Sequence, residues 1–263
     1  MKKILAIVLS VVFALSICAC GKEVKDQKSD AILQAEEAIN KIGEVTLDSE
    51  NDIKNAEKYY NILTDNEKSQ VSNRMDLVDA REKYDELAKA EALSNAKSAY
   101  EKLNKVAQLC IDGMDDVYGA WHFGIYDADD YSSSVVALAL SLETSFTSTE
   151  ITQACADAGF SVSYLSSRFD YCLWAIDQAH ENRGTYAEIH SLLNDAESLL
   201  QKLSGNTSNS EYHAKLTEYY AKVASYAEFF ENTTGSFSQL SSTINDYENT
   251  IRTLQSDLNI LLK

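Results

Sequence analysis

Apolar residues recur along most of this chain at alternating spacings of four and three. From residue 96 the series runs Ala96, Tyr100, Leu103, Ala107, Cys110, Met114, Val117 and Trp121, a heptad seam that predicts one long helix packed on others. The same spacing returns in Val162, Leu165, Phe169, Cys172, Ile176 and Ala179, and in Ile189, Leu193, Ala196, Leu200 and Leu203. Two further seams are Tyr212, Leu216, Tyr219, Val223, Tyr226 and Phe230, and Leu240, Ile244, Tyr247, Ile251, Leu254, Leu258 and Leu261. Gly159, Gly184, Gly205 and Gly235 separate them, and "ENRGT", "SGNTSNS" and "ENTTGS" are too short to reach a parallel neighbour. Antiparallel packing follows. An additional helix over about 133–147 carries Val136, Leu140 and Phe146.

The first hundred residues carry shorter patterns. Ser29 or Asp30 caps a helix with the stripe Ile32, Ala35, Ile39 and Ile42, ended by Gly43. Ser49 is placed to cap a second, with Ile53, Ala56, Tyr60 and Leu63. Thr64 with Glu67 is a capping box that opens a short third helix ending near Asn73, and Thr185 with Glu188 is another. No breaker falls between Met75 and Gly113, so one long helix is expected to lead from this module into the bundle. Proline is absent, and the nine glycines fall mostly where apolar periodicity breaks. The expected fold is all-α: a small helical module (30–90) joined by a long helix to an antiparallel, coiled-coil-like helix bundle (91–263).

The stretch "IGEVTLDSENDIKNAEKYYNILTDNEKSQVSNRMDLVDAREKYDEL", 42–87, resembles a small helical module that recurs in secreted and wall-associated proteins of Gram-positive bacteria. The matching positions are the 42–49 turn, then Ala56, Tyr60, Leu63, Lys68, Val71, Asn73, Leu77 and Ala80. The resemblance implies a spacer or accessory unit without a catalytic motif. "AWHFGIYD", "EYYAKVASYAEFF" and "GSFSQLSSTINDYENTI" are similar to a helical-bundle domain of uncharacterised exported proteins from anaerobic Gram-positive bacteria, although the proline such relatives carry before the last hairpin is missing. That likeness implies a shared fold only.

Lys2 and Lys3, the apolar run from Ile4 to Ile17 and a small-residue end build a secretory signal, with an apolar part too short to span a bilayer. "ICAC" before "GK" resembles the lipobox of bacterial lipoproteins, with Ile17 and Ala19 in the positions that direct lipidation to Cys20. The resemblance implies a signal peptide over 1–19, a lipidated cysteine and tether over 20–29, and anchoring on the outer face of the cytoplasmic membrane. Formal charge is −18 from 23 basic and 41 acidic residues; loss of Lys2 and Lys3 with the signal takes it to −20. Such a surface repels nucleic acid and anionic headgroups.

Little catalytic chemistry is visible. Cys110, Cys155 and Cys172 are odd in number, and Cys155 and Cys172 are not expected to pair, since on one helix they stand about 25 Å apart. Cys110 and Cys172 fall on apolar stripes and read as small buried hydrophobes. The histidines, His122, His180, His190 and His213, offer only Asp177 with His180 at metal-binding spacing, too little for a di-metal site. Phosphate loops, nucleophile elbows and Cys-x-x-Cys pairs are missing. Catalytic residues, metal and cofactors are therefore all expected to be none.

One stretch stands out. Between Lys105 and Arg168 lie nine acids and no Lys or Arg, together with the aromatic run around Trp121. Trp121, Phe123, Tyr126, Asp127, Asp129 and Asp130 form a candidate binding patch for a cationic peptide, a basic partner or a sugar. Against it stands Trp121 as a core plug, since it sits on the seam. Asp127, Asp129 and Asp130 read as an acidic helix junction, because Tyr131 and Ser132 occupy positions where a calcium loop needs a ligand and a glycine. Tyr212, Tyr219 and Tyr226, with Tyr220 beside them, read as core filler with hydroxyls at the rim, or as a recognition face. The expected function is a membrane-anchored extracytoplasmic lipoprotein acting as a non-catalytic binding, adaptor or spacer protein. Its partner would be an unknown protein or cell-wall component. The alternatives are a metal- or cation-binding protein or enzyme using the acidic Trp121 end, and a subunit of an envelope or export complex.

Overall fold

The computed structural model describes residues 28–204 and 210–263; the signal segment, Cys20 and Gly205 lie outside them. Among the described residues the fold is all-α. The α-helices are α1 (Asp30–Ile42), α2 (Glu50–Asn61), α3 (Asp65–Lys68), α4 (Arg74–Tyr126), α5 (Val136–Leu140), α6 (Ser148–Asp157), α7 (Phe169–Arg183), α8 (Thr185–Ser204), α9 (Ser210–Glu231) and α10 (Phe237–Leu261). Two compact units divide between Tyr84 and Asp85, inside α4.

In the first unit the Ser29 hydroxyl accepts from the Ile32 N–H, and Gly43 ends α1 at φ 61°, a backbone conformation that glycine adopts freely. Thr64 and Glu67 form the capping box, with reciprocal bonds of 3.0 and 3.4 Å. Ser49 does not cap α2. Its hydroxyl accepts instead from the Thr46 N–H, closing a 3₁₀ turn at Leu47–Ser49. Ile32, Ala35, Ile39, Ile53, Ala56, Leu63, Val71, Leu77 and Ala80 bury one small core. Lys28 and the Ser72 hydroxyl and N–H all bond the Glu36 carboxylate and hold it down at about 2.

The second unit has two cores. The first is a four-helix bundle built from α4, α8, α9 and α10. Its directions read from side-chain pairs. Lys102 meets Asp195 while Lys105 meets Glu188, so α4 and α8 run antiparallel. Lys215 meets Asp257 and Tyr226 stacks on Tyr247, so α9 and α10 do too. Leu103, Ala107, Cys110, Met114, Leu200, Leu216, Val223, Ile251, Leu254 and Leu258 fill it, as the seams require. One polar layer crosses the bundle. Asn104 Oδ1 accepts from the Tyr219 hydroxyl at 2.7 Å and from Gln255 Nε2 at 3.0 Å.

The second core joins the end of α4 to α5, α6 and α7. Here the expected helix over 133–147 shrinks to the five residues of α5, and α6 follows with its own capping box, Thr147 with Glu150. The seam from Val162 is broken rather than continuous. Val162–Ser166 form a 3₁₀ turn and α7 starts at Phe169, because Ser161, Ser166 and Ser167 hydroxyls bond nearby backbone and compete with the helix. Thr185 and Glu188 also have partners other than each other, His180 and Lys105 respectively. Gly113, Gly119 and Gly124 do not break helices; all lie within α4. Gly119 is there for close approach, since a Cβ would stand 1.9 Å from the Glu143 carbonyl oxygen.

Candidate functional site

The six residues of the acidic aromatic patch are distributed among different surroundings. Trp121 is 5% exposed and belongs to the bundle core, its ring 5.9 Å from Phe169 and 6.5 Å from Phe237. Phe123 is buried in the second core and stacks on Tyr131. Two residues along a helix point about 200° apart, so Trp121 and Phe123 could not share a face. Tyr126 is 62% exposed, Asp129 and Asp130 are exposed on a 3₁₀ turn, and half-buried Asp127 lies 3.5 Å from His122 Nδ1. The exposed aromatic wall that a binding patch needs is therefore reduced to Tyr126. Of the tyrosine stripe, Tyr219 and Tyr226 are fully buried in the bundle core. Burial pushes both phenols up.

A buried ionisable pair went unforeseen. Asp116 on α4 and His180 on α7 are 3% and 4% exposed, with His180 Nε2 3.4 Å from Asp116 Oδ2 and no hydrogen bond aligned between them. Asp116 accepts the Ser145 N–H and, at 2.7 Å, the Ser145 hydroxyl. Arg183 then bonds the Ser145 hydroxyl and carbonyl at 3.0 Å each and Glu150 Oε1 at 2.8 Å, with its guanidinium 3.8 Å from the Phe146 ring centroid. Burial, and secondarily Arg183, push His180 down to about 4. Burial pushes the Asp116 carboxyl up against the pull of its Ser145 bonds. Ser145 donates to the carboxylate rather than to the imidazole, and the rings of Phe146 and Phe230 stand edge-on to His180 at 4.8 and 5.0 Å. This is not the order of a nucleophile, a base and its orienting acid. It ties the 141–147 segment to α4 and α7.

Cys110, Cys155 and Cys172 are free and buried, and burial raises their thiols to about 12, 11 and 12. Thiols so raised are inert at neutral pH. Among the described residues no group of three His, Cys, Asp or Glu is placed to hold a metal ion, and no helix is long and apolar enough to cross a membrane.

The feature with the shape of a binding site lies elsewhere. A cleft of about 270 Å³ opens between α7, α8 and the end of α9, walled by Val117, Leu173, Trp174, Tyr186 and Phe230 and edged by Asp177, Glu231, Asn232, Thr233 and Thr234. Trp174 is 49% exposed, since it falls off the seam that buries Cys172 and Ile176. Asp177 follows three residues later on the same helix face, and its Oδ1 accepts the Tyr186 hydroxyl at 2.7 Å. Glu231 Oε1 is buried with no hydrogen bond donated to it, although His190 Nε2 lies 2.7 Å away. Burial first, then Asp177, Glu231 and Glu181, push the Tyr186 phenol up. Trp174 continues outward into a surface cluster with Tyr171, 4.9 Å away, and Phe160.

The Asp177–His180 spacing was visible in the sequence as a weak metal signal, but Trp174 and Glu231 were not singled out. The signal that could have found Trp174 is its place between two seam positions, where a large ring must face outward. Compared with known proteins, the chain matches no family model, no curated protein and no solved structure.

Proposed function

We propose that this protein is a non-catalytic binding or adaptor protein, held on the outer face of the cytoplasmic membrane by a lipid on Cys20, which engages its partner through the Trp174 cleft. The observation that carries the reading is the half-exposed Trp174 at the mouth of a cleft edged by Asp177 and Glu231. Large aromatic rings of this kind are concentrated where proteins bind others. The enclosed placement of His180 and the raised, buried thiols support a non-catalytic role. Anchoring draws support from the lipobox resemblance at Cys20 alone.

The test is affinity capture from a detergent extract of membrane and wall, with full-length protein as bait beside Trp174→Ala and Trp121→Ala. One protein or glycan retained by the parent and by Trp121→Ala, and lost from Trp174→Ala, is the expected result. Equal retention by Trp174→Ala removes the cleft from the account, and no retention by any bait leaves the spacer role. Cys20→Ala is expected to move the protein from the membrane fraction to the soluble one.

A further inference from the structure

We propose that the Trp174 cleft is a site for an organic cation, which sets an ammonium group beside the Asp177 and Glu231 carboxylates and lays its carbon body against Trp174. This rests on the binding reading above and names the ligand class. Every charged residue lining the cleft is acidic; Asp177 and Glu231 have no Lys, Arg or His among the other lining residues. Asp177 is exposed, and the basic group beside Glu231, His190 Nε2 at 2.7 Å, lies outside the lining; an ammonium entering the cleft adds the attraction of both carboxylates. Glu231 Oε1, although that close to His190, accepts no aligned hydrogen bond. Tyr186 cannot neutralise Asp177, because its hydroxyl donates a hydrogen bond and keeps its proton.

The aromatic side of the cleft points the same way. Cations sit on the faces of tryptophan and tyrosine rings, tryptophan best. The neighbouring cluster already holds one: the Arg168 guanidinium stands 4.8 Å from the centroid of Tyr171, whose ring packs against Trp174. A volume of about 270 Å³ lies at the small end of ligand sites. It suits one ammonium with a short carbon body rather than an extended chain. A neutral sugar could stack on Trp174 but would gain no charge attraction from the two carboxylates, and an anion would meet their repulsion.

Such an ammonium can belong to a free amine or to a lysine side chain of a partner protein. Calorimetric titration of the full-length protein with tetramethylammonium and n-butylammonium, beside neutral 1-butanol, tests the class. The expected result is binding of a cation at least about tenfold tighter than of 1-butanol, weakened at least about tenfold in Asp177→Asn/Glu231→Gln and in Trp174→Leu, and unchanged in Asp129→Asn/Asp130→Asn. A single-lysine peptide separates the sources. Tighter binding than n-butylammonium, lost on lysine acetylation, assigns the site to a protein side chain, and weaker binding assigns it to a free amine. Equal affinity for 1-butanol, or an unchanged affinity in the doubly neutralised variant with a parental melting temperature, overturns the proposal. So does the absence of heat from either cation. If the cations fail while Trp174→Ala still loses its captured partner, the cation class falls and the binding role stands; if capture too is indifferent to Trp174, both fall.

Discussion

The two cores of the second unit solve the same problem with different means. In the four-helix bundle, long helices satisfy their own backbone, so the interior is filled by seam residues and crossed by one neutral polar layer, Asn104, Tyr219 and Gln255. The second core packs the five residues of α5, the ten of α6 and two 3₁₀ turns against α7 and the end of α4, and Asp116 of α4 and His180 of α7 are buried beside it. The loop between α5 and α6 has backbone groups no helix can satisfy. Ser145 shows the solution: its N–H goes to Asp116 and its carbonyl to Arg183. Here the loop beside short elements has its backbone hydrogen bonding completed by charged side chains, whereas the long bundle helices satisfy their own.

The largest effect that would break this contrast is at Gly119. Alanine there meets the backbone carbonyl of Glu143 and is expected to cost about 3 kcal/mol in urea denaturation. Gly113→Ala in the bundle meets the Phe230 ring, which can turn aside, and should cost less; the reverse order would mean that the 141–147 segment yields more easily than a packed ring. Next comes Asp116→Ala, which leaves the Ser145 N–H and hydroxyl without acceptors, at about 2 kcal/mol.

The pH dependence sharpens the same point. His180 is held near 4 in the folded protein against an ordinary 6.5, so the unfolded chain binds the extra proton first. Its contribution to stability is complete above 6.5 and is lost as pH falls toward 4. Between pH 7.5 and 5 the loss is about 2 kcal/mol, with Asp116, pushed up by burial, acting in the opposite sense. Thermal melts of parent and His180→Asn over this range check it, and the variant should be flatter. The smallest effect belongs to the bundle. The Tyr226 hydroxyl is buried without a partner, so Tyr226→Phe should raise stability by up to about 1 kcal/mol, whereas a loss would reveal a bond to that hydroxyl.

These differences also explain what the sequence made legible. Seams such as Ala96 to Trp121 placed the bundle helices and their antiparallel order, because period and loop length act locally. Gly43, Gly159, Gly184 and Gly235 marked ends because each needs a positive φ. The second core was hidden: α6 has too few periodic residues, and the serines of 161–167 broke a seam that continued in the sequence. Asp116 looked like one more acid among nine, since the hydrogen bonds that define it come from Ser145, 29 positions away. Composition drew attention to Trp121, but seam register buried it. The same register turned Trp174 outward, beside carboxylates from two different helices that no local pattern joins.

The two tryptophans make the central claim measurable. Acrylamide quenching of fluorescence in Trp121→Phe and Trp174→Phe isolates each ring in turn. The account predicts that Trp174 emits at long wavelength and is readily quenched, while Trp121 emits at shorter wavelength and is protected. A Trp121 quenched as easily as Trp174 would return the recognition surface to the acidic end of α4 and contradict the assignment of the cleft.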